Sequence, residues 1–373
     1  MTIHRFAFPT TIHFGPGARK LVAAHLLEAG CKRPLLVTDK GLAALPVLGE
    51  FRSYFSGMEF EVFSGVQGNP VASQVRTGVT AYRAHSADAV IGFGGGAALD
   101  VAKAVALMAV HPGDVLEYAW DHPQVRPIDK ALPHFVALPT TAGTGSEVGR
   151  SSVISEDDTH VKRIIFSAAL LAKAVFADPE LTLGLPANIT AATGMDALTH
   201  NIESYLSPAY HPLCDGIALE GVRIAARALP LVFREPQNIQ ARGDMLMASM
   251  MGAIAFQKDL GAVHSCAHAL STVAGLHHGL ANALMIDHVM RFNLSAAEEK
   301  MNELARVAGV PDLISFLVQL KNELGIPERL SLVGIKKDQI PKLVQIAVAD
   351  ICHQTNPRPC TKRDFEDLFA AAL

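Results

Sequence analysis

Three short stretches carry the residues best suited to hold a cation. Gly194-Met-Asp196-Ala-Leu-Thr-His200 sets a carboxylate four residues before an imidazole, and Val263-His264-Ser-Cys-Ala-His268 repeats the spacing with two imidazoles. His277-His278-Gly279 follows nine residues later. On a helix, positions four apart share one face. One carboxylate with several imidazoles is a donor set for a first-row divalent metal, and both Fe(II) and Zn(II) accept it. A lone histidine in an apolar segment is usually a core or surface residue, so the argument rests on the cluster. His264 adds to it, because an unpaired imidazole in its Gly-Ala-Val-His-Ser-Cys-Ala-His run would be costly. His268 and His277 compete with the other imidazoles for a ligand place.

A second chemistry lies upstream. Gly94-Gly-Gly-Ala-Ala-Leu-Asp100-Val-Ala-Lys103 puts three glycines between an apolar run and a helical pattern. Such a turn lets the backbone approach a pyrophosphate, whose charge is stabilised by free N–H groups at a helix N-terminus. The spacing is not GxGxxG, so the common dinucleotide fingerprint is absent. Thr140-Thr141-Ala-Gly143-Thr144-Gly145-Ser146 supplies hydroxyls and flexible backbone from a second loop. Two such loops after parallel strands are where an α/β sheet binds ligands. Asp39, closing an earlier apolar run, is placed to accept from a ribose diol, and its charge would repel a 2′-phosphate, which favours NAD(H) over NADP(H).

The elements that position these loops alternate. Short apolar runs at Pro34–Thr38, Phe60–Phe63, Ala89–Phe93 and Phe135–Leu138 read as strands, and Ala72–Ala84 and the stretch from Leu99 as helices. The first residues read as a strand, a turn at Phe14–Gly17 and a helix through Leu27. Strand–helix alternation predicts a mainly parallel α/β sheet. After Asp178-Pro179 the chain is rich in Ala, Leu and Met without β-branched runs, which predicts an all-helical half. The expected domains are therefore 1–180 and 181–373, a division that a chain of 373 residues also calls for. A net charge of −4 gives no electrostatic case for nucleic acid or an anionic membrane. Five scattered cysteines without CxxC spacing argue against a disulfide framework. The N-terminus lacks the pattern of a signal peptide, and apolar runs such as Val101–Val110 are too short to span a bilayer. A soluble, cytoplasmic protein is expected.

In register, Gly94-Gly-Gly-x-x-x-Asp100-x-x-Lys103, Pro139-Thr-Thr-x-Gly-Thr-Gly-Ser-Glu147, Asp178-Pro-Glu-Leu181, Gly194-Met-Asp196-Ala-x-x-His200-x-Ile-Glu203, Val263-His264-x-x-x-His268, His278-Gly-x-x-Asn282 and Thr355-Asn-Pro-Arg358 occur in that order. With Ile12-His-Phe-Gly-Pro-Gly17 at the front, they cover nearly the whole chain. This pattern resembles the iron-dependent (group III) alcohol dehydrogenases, whose fold is similar to that of dehydroquinate synthase. The resemblance implies a nucleotide-binding α/β domain, a helical metal-binding domain and a metal in the cleft between them. It assigns the metal to Asp196, His200, His264 and His278, which leaves His268 beside the nicotinamide as a proton relay and His277 outside the set. On the cofactor side it points to Asp39, Asn69, Gly95, Gly96, Asp100, Thr140, Thr141, Thr144, Lys162 and Leu181. It also implies Fe(II) in preference to Zn(II), a homodimer, and a small alcohol or aldehyde as substrate.

This sequence departs from the family pattern at several places. Ala97 stands where relatives often carry Ser, so a phosphate hydrogen bond must come from elsewhere, and Ala255-Phe256-Gln257-Lys258 replaces a common Ala-Phe-Asn-Asn. Arg150, Ser151, Phe256, Lys258 and Cys352 fall at positions that would line the substrate pocket. The Glu147-Val-x-Arg150, Ala255-Phe-Gln-Lys258 and Asp350-x-Cys-His353-x-Thr-Asn-Pro pattern is similar to 4-hydroxybutyrate dehydrogenases. That similarity implies an ω-hydroxy acid and its semialdehyde, with Arg150 or Lys258 meeting the carboxylate. The expected chemistry is Lewis-acid activation of an alcohol and hydride transfer to NAD+. A zinc glycerol-type dehydrogenase, a dehydroquinate synthase-like lyase and a non-catalytic nucleotide-binding scaffold are the rival readings. The helical half does not offer the basic residues such a lyase needs, and a scaffold predicts damaged ligands.

Overall fold

The fold was analysed in a computed structural model that describes Phe8 and residues 10–373. The expectation that Met1–Pro9 is not a signal peptide falls almost wholly outside those residues, as does the start of the strand expected there. The chain divides into two compact units, one of Phe8–Thr141 and Ser146–Thr182, the other including Ala142–Gly145 and Leu183–Leu373. Among the described residues, no helix is long and apolar enough to cross a membrane.

The first unit is built on six parallel strands: β1 (Thr11–Phe14), β2 (Pro34–Asp39), β3 (Glu61–Val66), β4 (Ala89–Gly94), β5 (His134–Pro139) and, beyond an antiparallel hairpin of β6 (Ser151–Ser155) and β7 (Lys162–Phe166), β8 (Ala174–Ala177). Their order across the sheet is β1-β8-β5-β4-β2-β3. β4 and β8 are buried throughout, and β2 and β5 almost so, which is why their sequences read as unbroken apolar runs with no alternation. The helices of this unit are α1 (Val22–Glu28), α2 (Lys40–Ala43), α3 (Pro46–Ser53), α4 (Ala72–Ala84) and α5 (Gly96–Val110). The chain runs out through β2 to β3 and then returns to β4, so connections leave β2 and β4 in opposite directions. A crevice opens at the carboxyl ends of strands where the order reverses in this way.

Three elements here were not anticipated. The β6–β7 hairpin is too Ser- and charge-rich to stand out by hydropathy, and β8 is only four residues long. β8 becomes a strand because it fills the slot between β1 and β5, pairing Ile12 with Val175 and Val136 with Ala174.

The second unit is helical: α6 (Ala187–Leu206), α7 (Pro212–Arg234), α8 (Ile239–Ala255), α9 (Ala262–Ala274), α10 (His278–Ala308), α11 (Leu313–Glu323), α12 (Ile340–Ala349) and α13 (Lys362–Ala372). Local signals set several of its ends. Pro212 opens α7, Asn238 accepts from Ala241 N at 3.1 Å to cap α8, and Gly275 and Gly309 take left-handed conformations that stop α9 and α10. α6 is buried along almost its whole length and packs against α7, α8 and α10. Asn201 ties α6 to α8 by donating to Ala248 O at 2.9 Å.

Candidate metal centre and nucleotide loops

In the helical unit, Asp196 and His200 lie one turn apart on α6, His264 and His268 one turn apart on α9, and His278 is the first residue of α10. His277 caps α10 and His278 begins it. Nε2 of His200, His264 and His278 stand 3.9, 3.8 and 3.5 Å from Asp196 Oδ1. Bonds of about 2.0–2.2 Å in a tetrahedral set separate ligand atoms by roughly 3.3–3.6 Å, so these four fit one divalent ion. The four ligand atoms all lie within 4.8 Å of one another, and neither His268 nor His277 belongs to the set.

The surroundings suit a cation. Glu203, two turns beyond Asp196 on α6, accepts from His264 Nδ1 at 2.6 Å and from Val263 N at 2.7 Å. A proton held on Nδ1 leaves the Nε2 lone pair for a metal, the usual orienting arrangement for a ligating histidine. Burial lowers the His200 imidazole to about 4 against the pull of the Asp196 carboxylate, so it is neutral, as a ligand must be. Asn282 Nδ2 donates to Asp196 Oδ1 at 2.6 Å and lies 3.3 Å from Nε2 of both His264 and His278. The positive end of an amide therefore rests among the same atoms that would share a cation. Close helix approach makes this geometry: a Cβ on Gly279 would sit 2.1 Å from Ala192 O and 3.2 Å from Asp196 Cβ, so only glycine lets α10 reach α6 here.

His268 stands beside this set, its ring stacked on His278 with centroids 5.2 Å apart. Its Nδ1 is 2.7 Å from Asp350 Oδ2, and Asp350 Oδ1 accepts from Ser265 Oγ at 2.7 Å and Cys352 N at 2.9 Å. Burial raises the Asp350 carboxyl, but His268 and these donors outweigh it and hold the group well below the usual carboxylate range. Sequence reasoning gave no role to Glu203, Asn282 or Asp350. Glu203 carries a local signal, seven residues after Asp196 on the same helix face; Asp350 lies 82 residues from His268 and has none.

The pocket residues divide. The Phe256 ring is 5.3 Å from that of His200, and Cys352 lies beside Asp350 and His268. Lys258 requires a correction. Its side chain is fully buried, with the ammonium paired to Asp215. A cation enclosed and neutralised in this way does not meet a substrate carboxylate. Arg150 belongs to the sheet-containing unit, where its guanidinium lies over the Phe166 ring, and Ser151 opens β6.

In the sheet-containing unit the two loops meet. β4 ends at Gly94 with φ +152°, and Gly95 stands at the cap of α5, which has no capping side chain and no acidic residue in its first turn. The N–H groups of a 15-residue helix are thus available to an anion. Thr140 N donates to Gly94 O at 3.0 Å, and a Cβ on Gly95 would lie 3.3 Å from Thr141 Oγ1. Asp39 Oδ2 is 3.6 Å from a Cβ built on Gly94, while its Oδ1 caps α2 through Leu42 N at 2.8 Å. Asp39, Gly95, Gly96, Thr140 and Thr141 therefore converge at the ends of β2, β4 and β5. Asp100 is committed inward, accepting from Ser146 Oγ at 2.6 Å and Val153 N at 3.0 Å. The buried Lys103 ammonium donates to Ser146 O, Gly149 O and Ser151 O, so this pair shapes the loop. Lys162 opens β7 within the electrostatic reach of Asp100, Leu181 is in the core, and Asn69 is exposed after β3. Thr144 lies in the short segment counted with the helical unit.

Family comparison finds matches over both units. Residues 9–179 match the iron-containing alcohol dehydrogenase model, and residues 190–373 the C-terminal model of the Fe-containing alcohol dehydrogenase family. A 4-hydroxybutyrate dehydrogenase of Cupriavidus necator is 39% identical, over 98% of each chain. An NAD-dependent methanol dehydrogenase of Bacillus methanolicus is 32% identical over 99% of each. The crystal structure of a 1,3-propanediol oxidoreductase superposes with a TM-score of 0.94 at 35% identity, over 100% of each chain.

Proposed function

From its membership of the iron-containing alcohol dehydrogenase family, we propose that this oxidoreductase interconverts a primary alcohol and its aldehyde with NAD(H), using one divalent metal, Fe(II) in preference to Zn(II). The observation that carries the reading is the disposition of three imidazole Nε2 atoms, 3.5–3.9 Å from Asp196 Oδ1. Asp196, His200, His264 and His278 would hold the ion, which supplies Lewis-acid polarisation of the alcohol oxygen. Glu203 keeps His264 in its ligating tautomer. His268, fixed through Nδ1 by Asp350, has Nε2 to take up or release the hydroxyl proton. The α5 N-terminus with Gly95 and Gly96 suits a pyrophosphate, Thr140 and Thr141 add donors, and Asp39 suits a ribose diol and disfavours a 2′-phosphate. The nicotinamide supplies the hydride acceptor.

For substrate we propose an ω-hydroxy acid and its semialdehyde, such as 4-hydroxybutyrate, supported by the 39% identical relative. With Lys258 paired to Asp215, Arg150 is the residue assigned to the carboxylate. The test is NADH consumption by metal-reconstituted protein with neutral aldehydes, hydroxyaldehydes and semialdehyde acids. Turnover is expected on all three classes, with the largest kcat/KM on the acids and a selective loss there in Arg150→Ala. Fully metallated protein that oxidises no NADH with any aldehyde would defeat the dehydrogenase reading. Equal losses on acids and neutral aldehydes in Arg150→Ala would remove the carboxylate contact.

A further inference from the structure

A second donor set lies beside the first and shares none of its atoms. His268, Asp350 and Cys352 offer one nitrogen, one oxygen and one sulfur, all within 4.8 Å of one another. A hydrogen bond joins the first two of the three. His268 Nδ1 is 2.7 Å from Asp350 Oδ2, and the Cys352 sulfur lies within 4.8 Å of a ligand atom of each. Asp350 is anchored from behind by Ser265 Oγ and Cys352 N, and Ser265 Oγ in turn accepts from His353 N at 2.9 Å. The carboxylate is thus prepositioned between an imidazole and a thiol. An imidazole, a carboxylate and a thiolate are the three ligand types that zinc takes, with bonds of about 2.0–2.3 Å. The sulfur adds a preference for softer ions that the Asp196 set lacks.

We propose that His268, Asp350 and Cys352 form a second, inhibitory site for a soft divalent ion such as Zn(II) or Cd(II). Binding displaces two protons: the Cys352 thiol loses its proton to solvent, Nδ1 of His268 gives up its hydrogen and coordinates, and the other ring nitrogen is protonated in exchange. Oxidation states do not change, and a water completes the shell. Charge permits this occupancy next to a loaded first site, because the thiolate and carboxylate together neutralise the added dication. The consequence for turnover rests on the proposed relay: a coordinated His268, with one nitrogen on the ion and the other protonated, has no lone pair left to accept the hydroxyl proton.

The experiment uses protein carrying its resident iron, titrated anaerobically with Cd(II) and followed by ultraviolet thiolate-to-metal charge transfer, by total metal and by retained iron. The Asp196 set contains no sulfur, so a charge-transfer band reports a cysteine site only. The expectation is about one further ion per chain with iron retained, a charge-transfer band, and a fall in activity of about 10²-fold, the lower end for a positioned acid–base group. Cys352→Ser should lose the band and the additional ion while melting as the parent does; Asp350→Asn should weaken both. No band, a band that survives in Cys352→Ser, or cadmium bound only as iron leaves would each overturn the site. A band and an additional ion with activity intact would uphold the site and instead refute the relay role of His268.

Discussion

Glu203→Gln tests how the metal centre is tuned. Glu203 accepts from two donors at once, Val263 N at 2.7 Å and His264 Nδ1 at 2.6 Å, and it is buried. A glutamine has one acceptor and one donor end, so it satisfies only one of them in that role. In the metal-free protein it settles with its carbonyl toward Val263 and its NH2 toward Nδ1, and His264 shifts its proton to Nε2. All groups are then satisfied, and apoprotein stability stays near the parent's. Metal binding requires the Nε2 lone pair, which returns the proton to Nδ1 and sets two donors face to face in a buried site. An unsatisfied buried donor costs about 1–3 kcal/mol. At about 1.4 kcal/mol per tenfold, the affinity falls about 5- to 150-fold, which spans the range typical of groups behind a metal ligand. Chelator competition measures the affinity, and apoprotein melting separates it from folding. An affinity within about twofold of the parent, in protein that melts normally, would refute the tautomer argument.

Gly279→Ala drives a Cβ to 2.1 Å from Ala192 O, so α10 must withdraw from α6 and take His278 with it. A cost of about 1–3 kcal/mol is expected, seen as a lower Tm together with a lower metal content; an unchanged Tm would show that the helices have room. Glu147 is buried, and burial raises its carboxyl to about 7 although its own backbone N–H and Lys103 oppose the shift. Its folded-state pKa lies above the unfolded value of about 4.3, so the stability linked to its proton is present below pH 4 and is lost as pH rises through about 7. Denaturant unfolding of Glu147→Gln against the parent should therefore favour the variant more at pH 8 than at pH 5, by an amount on the order of 3 kcal/mol; a difference independent of pH would contradict it.

Much of this protein was legible in its sequence because the signals are local. Parallel strands buried on both faces leave unbroken apolar runs, and β2, β4 and β5 were read from them. The four-residue spacings of Asp196 with His200 and of His264 with His268 follow from helical periodicity alone, and the glycines before α5 announce a turn where backbone must stay bare. The ω-hydroxy acid reading came from resemblance alone, whereas the role given to Lys258 was lost to a contact with Asp215 that periodicity does not encode.

What tertiary structure decided are the relations between distant segments. β8 is a strand only because β1, some 160 residues earlier, offers it an edge. His278 reaches the donor set of Asp196, His200 and His264 because Gly279 lets α10 close on α6, and His277 lies outside that set. His268 is turned by Asp350 from another helix end, so its role depends on a carboxylate 82 residues away. The sequence determined which side chains face the same way along each helix, since that is a matter of backbone pitch. Which of their atoms meet was decided by packing, since the distances of 3.8 and 3.5 Å from Asp196 on α6 to His264 on α9 and His278 on α10 exist only once those helices close on one another.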